Sequence, residues 1–195
     1  MNKKTFLTVC LSLAAFSLLS LYSAKETSIY DDKVSLVTNL NAKNFNSQIT
    51  SNRSKNLISI VHYYKPNDGK SRDFGKEYDK FATEFDGMFK VAAMNCVEFK
   101  DVCEKEEIKE YPTFKVYPTL PAPVMIYEGK IESNALIGYL GRFIANKVTE
   151  LNMNNFDSFL ADRPNLPKAI MFTDKKAVPL IFKSVAVAFD VSFFF

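Results

Sequence analysis

Strand-like apolar runs alternate with helix-period stretches from residue 34 to residue 145, and that order restricts the chain to a sheet covered by helices. The segments VSLVT (34–38), NLISIVHYY (56–64), MFKVAAMN (88–95), TFKVY (113–117) and VMIY (124–127) read as strands, the second a buried one rich in β-branched and aromatic residues. Between and after them the pattern predicts a short helix over 44–49, a long one over about 71–85, one including 101–108, and one over 133–145. The long helix carries Phe74, Tyr78, Phe81, Ala82 and Phe85 at helical spacing. Asp68 or Ser71 can cap its first turn by accepting hydrogen bonds from the orphan amides there. The order is therefore β-α-β-α-β-α-β-β-α. Crossover helices favour parallel pairing early, and the close VMIY neighbour favours an antiparallel hairpin late, so a mixed α/β sheet flanked by helices is expected.

The chain then repeats itself. LNAKNF (40–45) returns as LNMNNF (151–156), an offset of 111 residues. Under the same offset ISIVHYY (58–64) falls on AIMFTDK (169–175), which reads as another apolar strand, and a helix is predicted over 177–190. A total of 195 residues, 47% of them hydrophobic, has room for one domain and part of a second. The expectation is one complete domain over 30–146 and a partial, truncated second copy over 147–195 that stops at VSFFF (191–195), around its third strand. Such a unit either keeps an open edge and an uncovered apolar face or packs against the first domain.

Residues 1–24 read differently. Lys3 and Lys4 precede FLTVCLSLAAFSLLSL, and small residues follow at Ser23 and Ala24, the layout of a secretory signal peptide. The run from Phe6 to Leu21 is shorter than the ~20 residues that span a bilayer as a helix, so cleavage and no membrane attachment of the mature chain are expected. Removing two lysines and no acid lowers the formal charge from +3 to +1. A nearly neutral chain offers no electrostatic case for nucleic acid. The cut also removes Cys10 and leaves Cys96 and Cys103 in an oxidising compartment, where a pair is more often a disulfide than a metal site. No metal and no cofactor is expected. Asn52-Arg53-Ser54 is a glycosylation sequon in a polar loop.

The loop HYYKPNDGKSR (62–72) sits between the buried strand and the long helix. Its Gly69-Lys70-Ser71 suggests a phosphate loop, but the glycine required five positions earlier is Tyr64, so no nucleotide is expected. A valine, an aromatic pair, x-Pro and a long helix, followed some forty residues later by Tyr111-Pro112-Thr113 and a hairpin, resemble a thioredoxin-fold domain of the protein disulfide isomerase family. VAAMNC (91–96) and EYPTFKVY (110–117) are the more specific parts of the likeness. The family's loop reads roughly E-F-Y-A-P-W-C-G-H-C-K, and the present loop lies over it residue for residue.

That resemblance implies a thioredoxin-like fold, followed by an incomplete second thioredoxin-like unit. It also locates a departure. Asp68 stands where the attacking cysteine belongs and Ser71 where the resolving cysteine belongs, and neither side chain can replace a thiolate in disulfide exchange. His62 takes the place of the family's buried glutamate, which assists proton transfer to those cysteines. The family often carries a structural disulfide at the place of Cys96 and Cys103, and its proline equivalent to Pro112 is cis and faces the active-site loop. The resemblance thus implies a redox-inactive protein of protein folding, in the endoplasmic reticulum lumen or secreted. Its partners would be unfolded or secretory client polypeptides, bound around Asn67, Asp68, Gly69, Tyr111 and Pro112. The alternative is a thiol-disulfide oxidoreductase working through Cys96 and Cys103 or through a partner's cysteines.

Overall fold

The computed structural model describes residues 28–189; the expected leader over 1–24 and the closing VSFFF lie outside them. Among the described residues five strands form one sheet: β1 (Thr38–Leu40), β2 (Ser59–Tyr64), β3 (Lys90–Asn95), β4 (Thr113–Tyr117) and β5 (Met125–Tyr127), in the order β1-β3-β2-β4-β5. β1 and β2 both run parallel to β3, with Leu40 opposite Met94 and Tyr63 opposite the same residue from the other side. β2–β4 and β4–β5 are antiparallel. The mixed sheet expected from the element order is the one observed.

Among the described residues five α-helices accompany the sheet: α1 (Gly69–Glu84), α2 (Lys100–Lys105), α3 (Ser133–Leu140), α4 (Phe156–Ala161) and α5 (Leu180–Ala188). All six residues of β2 are buried, because both faces of the sheet are covered. Alternate residues divide between two cores. Ile60 and Tyr64 pack with Tyr78 and Phe81 of α1 and with Leu136 and Leu140 of α3. Val61 and Tyr63 pack with Ile49, Met94 and the two cysteines on the side of α2. Gly87 makes the turn from α1 into β3 at a φ of 79°, a conformation side chains with a Cβ avoid.

Two expected strands are shorter or missing. VSLVT contributes only Thr38 to β1, since Asp31 builds a turn beneath it, its carbonyl accepting the amides of Val34 and Ser35. Val34 and Leu36 are left exposed. The 44–49 helix is displaced to a π turn over Asn46–Thr50 followed by a 3-10 turn over Ser51–Lys55. AIMFTDK (169–175) is extended chain outside any strand. The sheet order supplies the physical reason: in the first unit β2 reaches β1 only through β3, and among the described residues no third strand lies beside 169–175. The helix predicted over 177–190 begins at Leu180, and α5 rests on the first unit, with Ala186 buried and the Leu180 side chain against Gly141.

Candidate functional site

The carboxyl end of β2 and the start of α1 form the loop. Pro66 is buried, Asn67 and Gly69 are exposed, and Asp68 is the residue at which extended chain becomes helix. The Asp68 carboxylate accepts the backbone N–H of Ser71 at 2.7 Å, and its own amide donates to the Lys65 carbonyl at 3.1 Å. Hydrogen bonding from Ser71, supported by Lys70 and Arg72, holds the Asp68 carboxyl below its ordinary range. An anion therefore sits at the helix N-terminus, where the macrodipole favours one. Ser71 is fully buried.

Tyr111 and Pro112 lie across from this loop. Their peptide bond is cis. The Lys65 ammonium lies 4.4 Å from the centroid of the Tyr111 ring, a cation–π contact that ties the loop to the Tyr111-Pro112 segment. Beside Pro112 opens a groove of about 500 Å³ lined by Phe74, Phe114, Tyr127 and Ile131 and edged by Glu128, Lys130 and Glu132. Phe74, one of the helically spaced apolar residues of the long helix, is 39% exposed and lines this groove.

His62 lies beneath the loop, fully buried. Its Nδ1 shares a 2.6 Å hydrogen bond with the hydroxyl of Tyr30, and its ring stacks on Phe114 with centroids 4.5 Å apart. Burial pushes its pKa down to about 3, against a smaller opposing pull from Asp68. The imidazole is thus neutral at physiological pH. On the opposite face of the sheet Tyr63 and Tyr117 share a 2.6 Å hydroxyl contact, and Tyr117 donates to Glu106, which also pairs with Lys115 at 3.0 Å.

Cys96 and Cys103 are joined, S–S 2.00 Å, and both are buried in the second core. Cys103 lies in α2, and Cys96 directly follows β3. Asn52 is half-buried in the 3-10 turn, its side-chain amide donating to the Gln48 carbonyl. Among the described residues no group of three or more His, Cys, Asp or Glu could hold a metal, and no helix is long and apolar enough to cross a membrane.

The Lys65–Tyr111 contact links the loop that carries Asn67, Asp68 and Gly69 to the segment that carries Tyr111 and Pro112, while Cys96, Cys103 and Asn52 lie elsewhere. Three contributors were not singled out from the sequence: Tyr30, Lys65 and the exposed Phe74 with its groove. Lys65 carried a signal, since it replaces the alanine of the loop pattern. Tyr30 carried none, because its contact with His62 spans 32 positions and lies outside every predicted element.

A parallel β-α-β unit joined to an antiparallel hairpin, with a cis proline directly before the first hairpin strand, is the arrangement of a thioredoxin fold. The family model "Thioredoxin" matches residues 36–142, more than half of the chain, and the chain belongs to that family. It is 29% identical over 159 residues to a provisionally named protein disulfide-isomerase of Dictyostelium discoideum, covering 78% of this chain and 38% of that one. It is 27% identical over 141 residues to DnaJ homolog subfamily C member 10 of Xenopus laevis, covering 72% of this chain and 17% of that one. Among solved structures, ERdj5 form II superposes with a TM-score of 0.66 at 18% identity, over 86% of this chain and 22% of that one. The chain spans well under half the length of these relatives. It is a disulfide-isomerase-like protein of thioredoxin fold.

Proposed function

We propose that the chain is a redox-inactive member of the disulfide-isomerase-like group that binds unfolded or secretory polypeptides, or a partner protein, in the secretory pathway. The surface around Asn67, Asp68, Gly69, Tyr111 and Pro112 does the binding. One observation carries this reading: the position of the attacking thiol holds a carboxylate already committed to capping α1. Exchange needs a thiolate, stabilised at the helix N-terminus, to attack sulfur. Asp68 keeps the electrostatics of that position without the chemistry. The burial of Cys96 and Cys103 within the second core supports a structural bridge over a redox role, since an attacking thiolate needs access. The signal-like leader supports the endoplasmic reticulum lumen or the exterior as its compartment.

An extended client can pair backbone groups with the Tyr111-Pro112 segment and set apolar side chains against Phe74 and Ile131. Affinity should be micromolar or weaker, because ordering a flexible client costs much of the contact energy. The test is chemical-shift mapping with a cysteine-free unfolded polypeptide, on the parent and on the Asp68→Lys, Tyr111→Ala double variant. Shifts should cluster on 65–69, 74 and 111–114 and vanish in the variant. Shifts clustering elsewhere, or unchanged binding by the variant, would refute this surface.

A further inference from the structure

Asn52-Arg53-Ser54, the acceptor sequence for an N-linked glycan, is folded into the 3-10 turn over Ser51–Lys55, and each of its three side chains is bonded there. The Asn52 side-chain amide donates to the Gln48 carbonyl. The Ser54 hydroxyl donates to the Ser51 carbonyl at 2.9 Å. Between them the Arg53 guanidinium donates through Nε to the Pro118 carbonyl at 2.9 Å and through Nη2 to that of Ala122, and the Arg53 carbonyl accepts the amide of Leu120 at 3.2 Å. The backbone is committed as well. The Asn52 carbonyl accepts the amides of Asn56 and Leu57, and the turn closes at Asn56 in the left-handed region, φ 59°.

A carboxamide nitrogen is a poor nucleophile because its lone pair is delocalised into the carbonyl, so a glycan transferase must take hold of the amide and of the hydroxyl two residues on. In the folded turn both groups are already bonded to the protein. That lock closes late. Ile49, three residues before Asn52 and fully buried, packs with Val61, Met94, Cys96, Cys103 and Tyr117, so the seat of the turn is built from residues made long after it. Ala122 lies 69 positions beyond Arg53, which at ~5–20 residues per second is about 3–14 s of synthesis. Once folded, the turn still has room for a glycan. Nδ2 carries two hydrogens, the turn uses one on Gln48, and Asn52 is half-buried with Ser54, Lys55 and Asn56 exposed beside it.

We propose that Asn52 is a glycan acceptor in the unfolded chain alone, and that docking of Arg53 on 118–122 ends the window for transfer. The site rests on the secretory compartment proposed above and not on the Asp68 surface. In the transfer the bond between Asn52 Nδ2 and the sugar C1 forms as the bond from C1 to the phosphate oxygen of a polyprenyl diphosphate-linked oligosaccharide breaks. Nδ2 gives one proton to a base of the transferase, and polyprenyl diphosphate leaves with the bonding electrons. The remaining Nδ2 hydrogen keeps the Gln48 bond, so the modified chain folds as the bare one does. A chain that folds before transfer stays bare, and occupancy therefore reports how fast the first unit closes during import.

The experiment is translation of the full 195-residue chain with endoplasmic-reticulum microsomes. Chains that become protease-protected should carry one endoglycosidase-sensitive glycan, absent from Asn52→Gln and from Ser54→Ala. A second arm imports the chain while an acceptor tripeptide saturates the transferase, lets it fold, and then washes the tripeptide out. Parent chains should now gain glycan at least about tenfold less than Ile49→Asp chains, whose second core cannot close around an unpaired charge. Arg53→Ala keeps the acceptor sequence but frees the turn from 118–122, so it should gain glycan where the parent does not. Late modification of the parent equal to that of Ile49→Asp, or an Arg53→Ala chain as refractory as the parent, would overturn the folding window. Import on the chain's own leader without modification, or a glycan that survives Asn52→Gln, would overturn the site. A chain protected only behind a proven secretory leader would instead overturn the compartment on which the site rests.

Discussion

Lowering the pH from about 7.5 to 5 should destabilise the protein through His62 alone. This is the only histidine in the chain, and it is fully buried against Tyr30, Tyr64, Tyr78 and Phe114. Its pKa falls from 6.5 to about 3 on folding, with burial the main cause and the Asp68 charge a smaller opposing one. A depressed folded-state value makes the unfolded chain the better proton acceptor between these limits. The stability is fully present above 6.5, declines as pH falls below it, and is lost completely only near 3. At pH 5 the unfolded imidazole is almost fully protonated and the folded one almost fully neutral, a difference of about 2 kcal/mol at ~1.4 kcal/mol per pKa unit. The Asp68 carboxyl contributes only at lower pH, since hydrogen bonding from Ser71 holds it below its ordinary 3.8. Urea unfolding at a series of pH values should show this decline in the parent, and His62→Gln should flatten it whatever its absolute stability. A parent with constant stability across this range, or a His62→Gln variant with the same slope, would refute the reasoning.

Two further outcomes follow from the loop and the bridge. Asp68→Ala should lower the melting temperature by removing the cap on the Ser71 amide, whereas Asp68→Asn should retain most of it, because asparagine also accepts that bond; calorimetry of the two variants separates them. Replacing both Cys96 and Cys103 by serine should cost about 2 kcal/mol in urea unfolding, the loop-closure entropy of a bridge spanning 7 positions, without altering client binding.

Much of the first unit was legible because its strands and helices are local patterns. NLISIVHYY could only be a strand covered on both faces, and β2 is that strand. Asp68 was readable as a cap because it precedes a run with helical spacing. Phe74 shares that spacing but lies near the start of α1, where the groove beside Pro112 leaves it partly uncovered, and spacing alone does not show this. The contact between Tyr30 and His62 was illegible, because nothing local announces a partner 32 positions away. AIMFTDK was read as a strand from its apolar composition and from its place in the 111-residue repeat. Neither feature names the strand it would pair with, and among the described residues no strand lies beside it.

The central claim is that a thiol active site has become a capped contact surface, and insulin reduction with dithiothreitol tests it most directly. The parent should reduce insulin no faster than dithiothreitol alone, and the Asp68→Cys, Ser71→Cys variant should gain activity, because it restores a thiolate at the start of α1. Turnover by the parent above background that survives replacement of Cys96 and Cys103 would contradict the claim outright. Turnover that disappears with those two cysteines would give the chemistry to the buried bridge and contradict it equally.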